Sequence, residues 1–296
     1  MIWTQWSDLA IPSSLEVCQT DGVAPDPKDL EKITFYVPRY MSGGAGLTPI
    51  PSMTSLQVIQ SLNAGVDDIL QILPSGVTLC NAAGVHDAST AELAIGLAIA
   101  ARRGFKDFIL NQEKGLWSHS QYQSLTDSRV GIVGSGNIGR RIADLLSGFN
   151  TEVTLFNRTG HDGCESISRL PDLLPEFDVV ILIVPLNDQT RKLMNLENMK
   201  RMKKGATLIN LARGAVVDTD ALVQVLHEGH INAALDVTDP EPLPEDHPLW
   251  KAPHCIISPH VGGDSTAFTP RGRALIESQL ALYAEGRPLK NIVIGG

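Results

Sequence analysis

The sequence predicts an α/β protein of two domains built on parallel sheets. Apolar runs of strand length alternate with amphipathic segments of helix length along nearly the whole chain, the pattern of strands joined by crossover helices. The length, 296 residues, exceeds one average domain and is comfortable for two. A glycine-rich turn, Gly134-Ser135-Gly136, stands directly between an apolar strand pattern and an amphipathic helix.

Residues 33–37, 56–62 and 77–80 read as the strands of the first part, with turn-rich stretches such as residues 42–51 between them. A helical pattern then begins at Ser89-Thr90, where Glu92 stands three residues past Ser89 in the spacing of a capping box. It runs through residue 110, which is long enough to bridge two domains. A second α/β series follows, with strands expected at 129–133, 152–156, 178–184, 207–210, 233–237 and 255–258. Its helices are expected at 138–146, at 196–204 with a stop at Gly205, and at 219–228 with a stop at Gly229. A last helix covers 271–285. The domain boundary falls near residue 90, and the tail, 271–296, is expected to return to the first domain.

Composition excludes several functional classes. Hydrophobic residues make up 43% of the chain, too many for a disordered one. A formal net charge of −9 argues against a nucleic-acid partner, because phosphate binding calls for a basic surface. Cys18, Cys80, Cys164 and Cys255 form no CxxC and no framework spacing, so they read as thiols of a reducing compartment. The start, MIWTQWSDLAIP, lacks the basic residues and apolar run of a signal peptide. The most apolar run, residues 91–101, carries Glu92 and is too short to span a bilayer. A cytoplasmic protein with no membrane partner is expected. His227 and His230 have no carboxylate or cysteine at ligand spacing, so no metal is expected, and they read as partners of a helix C-terminal dipole.

Gly134, Gly136 and Gly139 spell GxGxxG in the context that makes the motif informative. The first glycine permits a tight turn, the second lets backbone approach a pyrophosphate, and the third lets helix pack on strand. The helix N-terminus, at Asn137 and Ile138, then offers N–H donors to phosphate. A dinucleotide-binding Rossmann domain over residues 91–270 is the reading. At the end of the next strand, where NAD sites carry an acid for the ribose 2′-hydroxyl, the chain has Asn157, Arg158 and Thr159, and the nearest acid, Asp162, lies beyond Gly160. NADP(H) is therefore the expected coenzyme, with NAD(H) as the weaker substitute.

Arg213, Asp236 with Glu241, and His260 each follow an apolar strand pattern. Ligands of open α/β sheets bind outside the carboxyl ends of strands, so an arginine, carboxylates and a histidine converge on the expected crevice. Hydride addition to a carbonyl builds charge on oxygen, which a positioned acid and a cation would both stabilise.

The segments VGIVGSGNIGRRIA, VPLNDQTRKLMN, MKKGATLINLARGAVVDTDALVQVLHEGHINAALDV, DPEPLP and SPHVGG resemble, in succession, the signatures of D-isomer-specific 2-hydroxyacid dehydrogenases. The resemblance covers about residues 54–270, is most specific over 130–263, and is weak over the first fifty. It implies a smaller, flavodoxin-like α/β substrate domain over 1–90 beside the Rossmann domain. It also implies an NAD(P)-dependent oxidoreductase acting on a small 2-oxo acid of the glyoxylate or hydroxypyruvate type. Arg213 would bind the substrate, His260 would donate the proton in reduction, and Glu241 would hold the His260 ring. Asn63, Ala64 and Gly65 would bind the substrate carboxylate. Asp236 would orient the nicotinamide, and Val184, Pro185 and Ala212 would line the cofactor cleft.

The helix from Ala91 and the loop carrying Trp117 resemble the family's dimerisation arm, so a homodimer is expected. Asp127 replaces a glycine that usually precedes the first Rossmann strand. Glutamate at 241, where formate dehydrogenases of the family carry glutamine, argues against formate. The alternatives are a 3-phosphoglycerate dehydrogenase, for which Arg39 could meet the phosphate, and a dinucleotide-sensing corepressor-like binding protein.

Overall fold

The computed structural model describes residues 1–19 and 25–295. Two compact units emerge, Met1–His86 with Thr266–Gly296, and Asp87–Ser265. These bounds differ by a few residues from the junctions at 90 and 271 expected from the sequence.

In the first unit, strands β1 (Ile2–Thr4), β2 (Val17–Gln19), β3 (Phe35–Tyr36), β4 (Val58–Gln60) and β5 (Thr78–Cys80) pair in parallel in the order β2-β1-β3-β4-β5. That is the strand order of flavodoxin-like sheets. β1 and β2, three residues each, were not among the strands expected from sequence. Ile2, Phe35, Ile59 and Leu79 are fully buried on the sheet.

The second unit is one parallel sheet of seven strands: β6 (Arg129–Val133), β7 (Glu152–Asn157), β8 (Glu165–Ser166), β9 (Val179–Leu182), β10 (Thr207–Asn210), β11 (Asn232–Leu235) and β12 (Cys255–Ile257). Their order is β12-β11-β10-β9-β6-β7-β8. The order reverses between β6 and β9, so chain leaving these two strands parts in opposite directions and opens a crevice at their carboxyl ends. Successive side chains go to opposite faces. Val180, Leu182, Leu208 and Leu235 pack on one side, and Val179, Ile181, Ile209 and Ala234 on the other. Both faces are covered, which is why the strands read as continuous apolar runs. Each fully buried leucine or isoleucine contributes roughly 1.5–3 kcal/mol.

The chain then returns to the first unit, where strand β13 (Ile292–Ile294) pairs antiparallel with β5. The helix before it spans Phe268–Ala284, starting ahead of the expected residue 271.

Several expectations need correction. The single helix expected from Ser89 to residue 110 is two helices, Asp87–Arg102 and Phe105–Glu113. The break sits at Gly104, whose φ of +71° is left-handed, and a Cβ there would meet the Tyr122 ring at 2.0 Å. Ser89 is no cap. It lies inside the helix, and its Oγ shares a hydrogen bond with Ser265 Oγ at 2.7 Å. Helix Leu196–Arg201 stops short of residue 204 because Met202 turns extended, with ψ of 151°. The turn before β6, where Asp127 replaces the usual glycine, is left-handed all the same. Asp127 adopts φ of +62°, donates its N–H to Phe149 O at 3.1 Å, and accepts from Asn150 Nδ2 at 2.5 Å. Among the described residues no helix is long and apolar enough to cross a membrane.

Candidate active site

The functional side chains named from sequence in the second unit lie at the carboxyl ends of adjacent strands. β6 runs into Gly134, β7 into Asn157, β9 into Val184 and Pro185, β10 into Ala212 and Arg213, β11 into Asp236, and β12 into His260. Parallel pairing forces this, because every strand points the same way.

The glycine turn is shaped by backbone approach. Gly134 has φ of +123°, and a Cβ there would come within 2.3 Å of Ile183 O. A Cβ on Gly139 would lie 1.9 Å from Gly134 O, so only glycine lets the helix pack down on the turn. Gly136 differs. It precedes the helix Asn137–Leu146, and nothing lies within 4 Å of where its Cβ would be. The bare backbone at the helix N-terminus faces open space with N–H donors, which fits a pyrophosphate.

At the end of β7 Asn157 is bonded within its own loop. Its Oδ1 accepts from Thr159 N at 3.1 Å and Gly160 N at 2.6 Å, and its Nδ2 donates to His161 O at 2.9 Å. Asn157 therefore closes the loop, and Arg158 and Thr159 are left exposed on it. On the β9 exit, Pro185 O accepts from Thr190 Oγ1 at 2.7 Å, which closes the loop beyond it.

Arg213 is held by its own turn. Asn210, almost wholly buried, donates Nδ2 to Arg213 O at 3.0 Å and accepts from Ala212 N at 3.0 Å. Arg213 Nη1 donates to Ala212 O at 2.8 Å. A Cβ on Gly214 would fall 1.9 Å from Thr238 O, which makes the Arg-Gly pair a packing requirement. Asn210 escaped the sequence reading because a strand-terminal asparagine carries no motif of its own.

His260 and Glu241 form the central pair, with His260 Nδ1 2.5 Å from Glu241 Oε1. The carboxylate can only accept, so Nδ1 carries the hydrogen. This bond and the nearby carboxylates of Glu241 and Asp236 raise the His260 pKa against the opposing effects of burial and Arg213. The same bond, followed by the His260 and Arg213 charges, lowers the Glu241 pKa against burial. Arg213 thus lies near enough to act on both.

Asp236 anchors the turn that carries His260. Its Oδ1 accepts from Ser258 Oγ at 2.6 Å and Val261 N at 2.9 Å, and its Oδ2 accepts from Gly262 N at 2.9 Å. Its backbone O takes His260 N at 2.8 Å. His260 itself sits at φ of +55°, a conformation that a side chain with a Cβ adopts only when its surroundings impose it. Oδ2 keeps one acceptor site, so the carboxylate is mostly committed to the turn. Ser258 was not singled out from sequence, because only the fold brings it to Asp236.

In the first unit, Asn63, Ala64 and Gly65 follow β4. Asn63 N already donates to Ser61 Oγ at 3.0 Å, and Asn81 Nδ2 donates to Ala64 O at 2.9 Å. The N–H groups of Ala64 and Gly65 have no partner among the described residues. Of the three N–H groups expected at the substrate carboxylate, that of Asn63 is engaged within the loop and the other two are open. Arg39 lines one pocket with Ser61 and Asn63. His227 Nδ1 bonds Val223 O at 2.8 Å, one turn back in its helix. No cluster of three or more metal-ligating side chains exists among the described residues.

Comparison with known proteins agrees with this architecture. Residues 95–262 match the family model described as D-isomer specific 2-hydroxyacid dehydrogenase, NAD binding domain. The human glyoxylate reductase/hydroxypyruvate reductase is 30% identical over 308 aligned positions, covering 95% of this chain and 92% of the relative. The crystal structure of TT0316 protein from Thermus thermophilus superposes with a TM-score of 0.79 at 32% identity, over 99% of both chains. An NADPH-dependent glyoxylate/hydroxypyruvate reductase from Sinorhizobium meliloti, in complex with NADP and malonate, matches with a TM-score of 0.78 at 25% identity, covering 90% of this chain and 87% of that one.

The Asp236 network generates a stability prediction. Asp236→Ala leaves the N–H groups of Val261 and Gly262 without their acceptor, and hydrogen bonds to charged groups are worth about 1.5–3 kcal/mol each. The expected cost is about 3 kcal/mol, read as a lower urea midpoint at unchanged m-value. A midpoint equal to that of the wild type would show that the turn holds without the carboxylate.

Proposed function

The chain belongs to the D-isomer-specific 2-hydroxyacid dehydrogenase family, and from that premise we propose that it reduces a small 2-oxo acid of the glyoxylate or hydroxypyruvate type with NADPH. The observation that carries this reading is the His260–Glu241 pair, with Arg213 close by, at strand exits of the unit that also holds the glycine turn.

A reduced nicotinamide coenzyme, when bound at the glycine turn, supplies the hydride to the 2-oxo carbon. The chain's own residues do the rest. Glu241 holds His260 Nδ1–H, so the second proton of the imidazolium sits on Nε2 and is the one given to the nascent alkoxide. Arg213 stabilises the carbonyl oxygen and the carboxylate with a planar cation. The N–H groups of Ala64 and Gly65 are assigned to the substrate carboxylate. Gly136, Asn137 and Ile138 are assigned to the pyrophosphate, with Val184, Pro185 and Ala212 along the coenzyme and the remaining acceptor site of Asp236 to its carboxamide.

Arg158 and Thr159 support the NADPH preference, since neither they nor Asn157 places a carboxylate directly at the strand end to repel a 2′-phosphate. A phosphorylated substrate is the second reading, favoured by Arg39 in the pocket of Ser61 and Asn63. The four cysteines are unpaired, which supports the reducing cytoplasm as the place of work. The segment around the helix Phe105–Glu113 leaves Phe105, Phe108, Ile109 and Leu110 exposed, and beyond it Trp117 is fully so. So much apolar surface in one segment supports a homodimer through this arm.

The test is a panel of glyoxylate, hydroxypyruvate and phosphohydroxypyruvate with each coenzyme. NADPH should give kcat/KM at least about tenfold above NADH, a gap that Arg158→Ala closes. No turnover of any 2-oxo acid would favour a dinucleotide-sensing binding protein. Equal use of the two coenzymes would refute the Arg158 contact.

The pH profile tests the acid. With the His260 pKa raised, the donating form persists to higher pH, and kcat/KM for reduction falls only as pH rises through that raised value. Glu241→Gln removes the stabilising carboxylate and should move this limb to lower pH. His260→Asn should abolish the limb and cost about 10²–10⁴-fold in kcat. An unmoved limb in both variants would assign the proton to another group.

Sedimentation at micromolar concentration should give the mass of two chains. Replacing Ile109 and Trp117 with lysine should give one. A wild-type monomer would leave the exposed arm without its partner.

A further inference from the structure

Beyond Arg158 and Thr159, the loop after β7 carries a residue with no assigned part, His161. The loop is stapled by Asn157, so its geometry is set without help from the histidine ring. The ring stands between two polar groups. His161 Nδ1 is 2.6 Å from Thr159 Oγ1, and Nε2 is 3.4 Å from Asp162 Oδ2. The Asp162 carboxylate lies within ion-pair distance of Nε2 when the ring is charged, and the two side chains, both largely exposed, make no hydrogen bond.

Charge in this region is arranged unevenly. Glu165, in β8, is engaged by Arg169 at 2.7 Å, and Asp162 is engaged by His161. Arg158 has no ionic or hydrogen-bond partner for its guanidinium among the described residues. Glu165 is thus held by a basic side chain and Asp162 has one beside it, while the arginine carries no ion pair. Without the imidazole, Asp162 would present a bare carboxylate three residues beyond Thr159. A carboxylate at this end of a dinucleotide site accepts from a ribose 2′-hydroxyl and repels a 2′-phosphate.

We propose that His161 is a specificity-determining residue for the coenzyme: it masks Asp162 and holds Thr159, and so keeps the end of β7 selective for a 2′-phosphate. This rests on the NADPH reading of Arg158 above. His161 acts through its two neighbours, as a positioning residue. When the ring is protonated, Nδ1–H donates to Thr159 Oγ1 and releases the threonine hydroxyl to donate elsewhere. When it is neutral, Nδ1 accepts that hydroxyl. In both forms Nε2 keeps a hydrogen on the side of the ring next to Asp162.

The experiment is calorimetric titration of the whole enzyme with 2′,5′-ADP and 5′-AMP, which differ by the 2′-phosphate alone. The quantity read is the ratio of their affinities. His161→Ala should lower the ratio about three- to tenfold, the scale of exposed charge and hydrogen-bond effects. Adding Asp162→Asn to His161→Ala should restore most of it, a recovery that a purely structural role for the ring would not produce. His161→Asn, which keeps a hydrogen-bonding side chain, guards against a loss caused by misfolding of the loop and should show an intermediate ratio. A wild-type preference for 2′,5′-ADP that Arg158→Ala removes and His161→Ala leaves intact overturns this proposal alone. A lowered ratio that Asp162→Asn does not restore overturns the masking. No wild-type preference overturns the coenzyme reading and this proposal together.

Discussion

Parallel pairing within the sheet of the second unit is the constraint on which the candidate site depends. Because β6, β7, β9, β10, β11 and β12 all run one way, six loops of different length deliver their first residues to one edge. No loop needs to be long or specially folded to bring Arg213 near the His260–Glu241 pair. The reversal of strand order between β6 and β9 then opens space beside the glycine turn. The buried faces of the sheet, with Val179–Leu182 and Thr207–Asn210 all inaccessible, hold the register that aligns the exits.

Upon that edge, fine positioning is done by buried polar side chains. Asn210 braces the turn of Arg213, and Asp236 braces the turn of His260. Each uses a side chain at the last position of a strand, or one beyond it, to satisfy the N–H groups of the next turn. Such groups would otherwise be orphaned where the ladder ends. The left-handed backbone of His260 persists because three hydrogen bonds to the Asp236 carboxylate and one to its carbonyl over-determine it. Orientation of the His260 ring is thus tied to the stability of the sheet, and Glu241 adds the electrostatic part from the loop beyond β11.

Glycines do related work at the coenzyme end. Gly134 and Gly139 are required by contacts under 2.5 Å to backbone atoms, and Gly214 by the same kind of contact to Thr238. Gly136 is required by nothing in the protein, which marks it as the position where the backbone is bared for something else. The loop after β7 follows a different logic. Asn157 closes the loop with its amide, and the loop displays Arg158 and Thr159.

The sequence by itself determined the α/β class, the parallel series, the glycine turn and the identities of Arg213, Asp236, Glu241 and His260. These features are local: apolar periodicity, turn residues and motif spacing act over a few residues and survive in a linear reading. It did not show β1, β2, β8 or β13, since two or three residues carry no period and exist as strands only through their neighbours. It suggested one long helix where Tyr122, eighteen positions on from Gly104, packs into the turn and breaks it. Position placed Asn157 at the ribose, and the family resemblance implied that Asp236 orients the nicotinamide. The tertiary structure showed that the first also closes its own loop, and that most of the second's carboxylate is committed to the His260 turn. Hydrogen-bonding capacity is finite, and which partner claims it depends on groups that only folding brings within 3 Å.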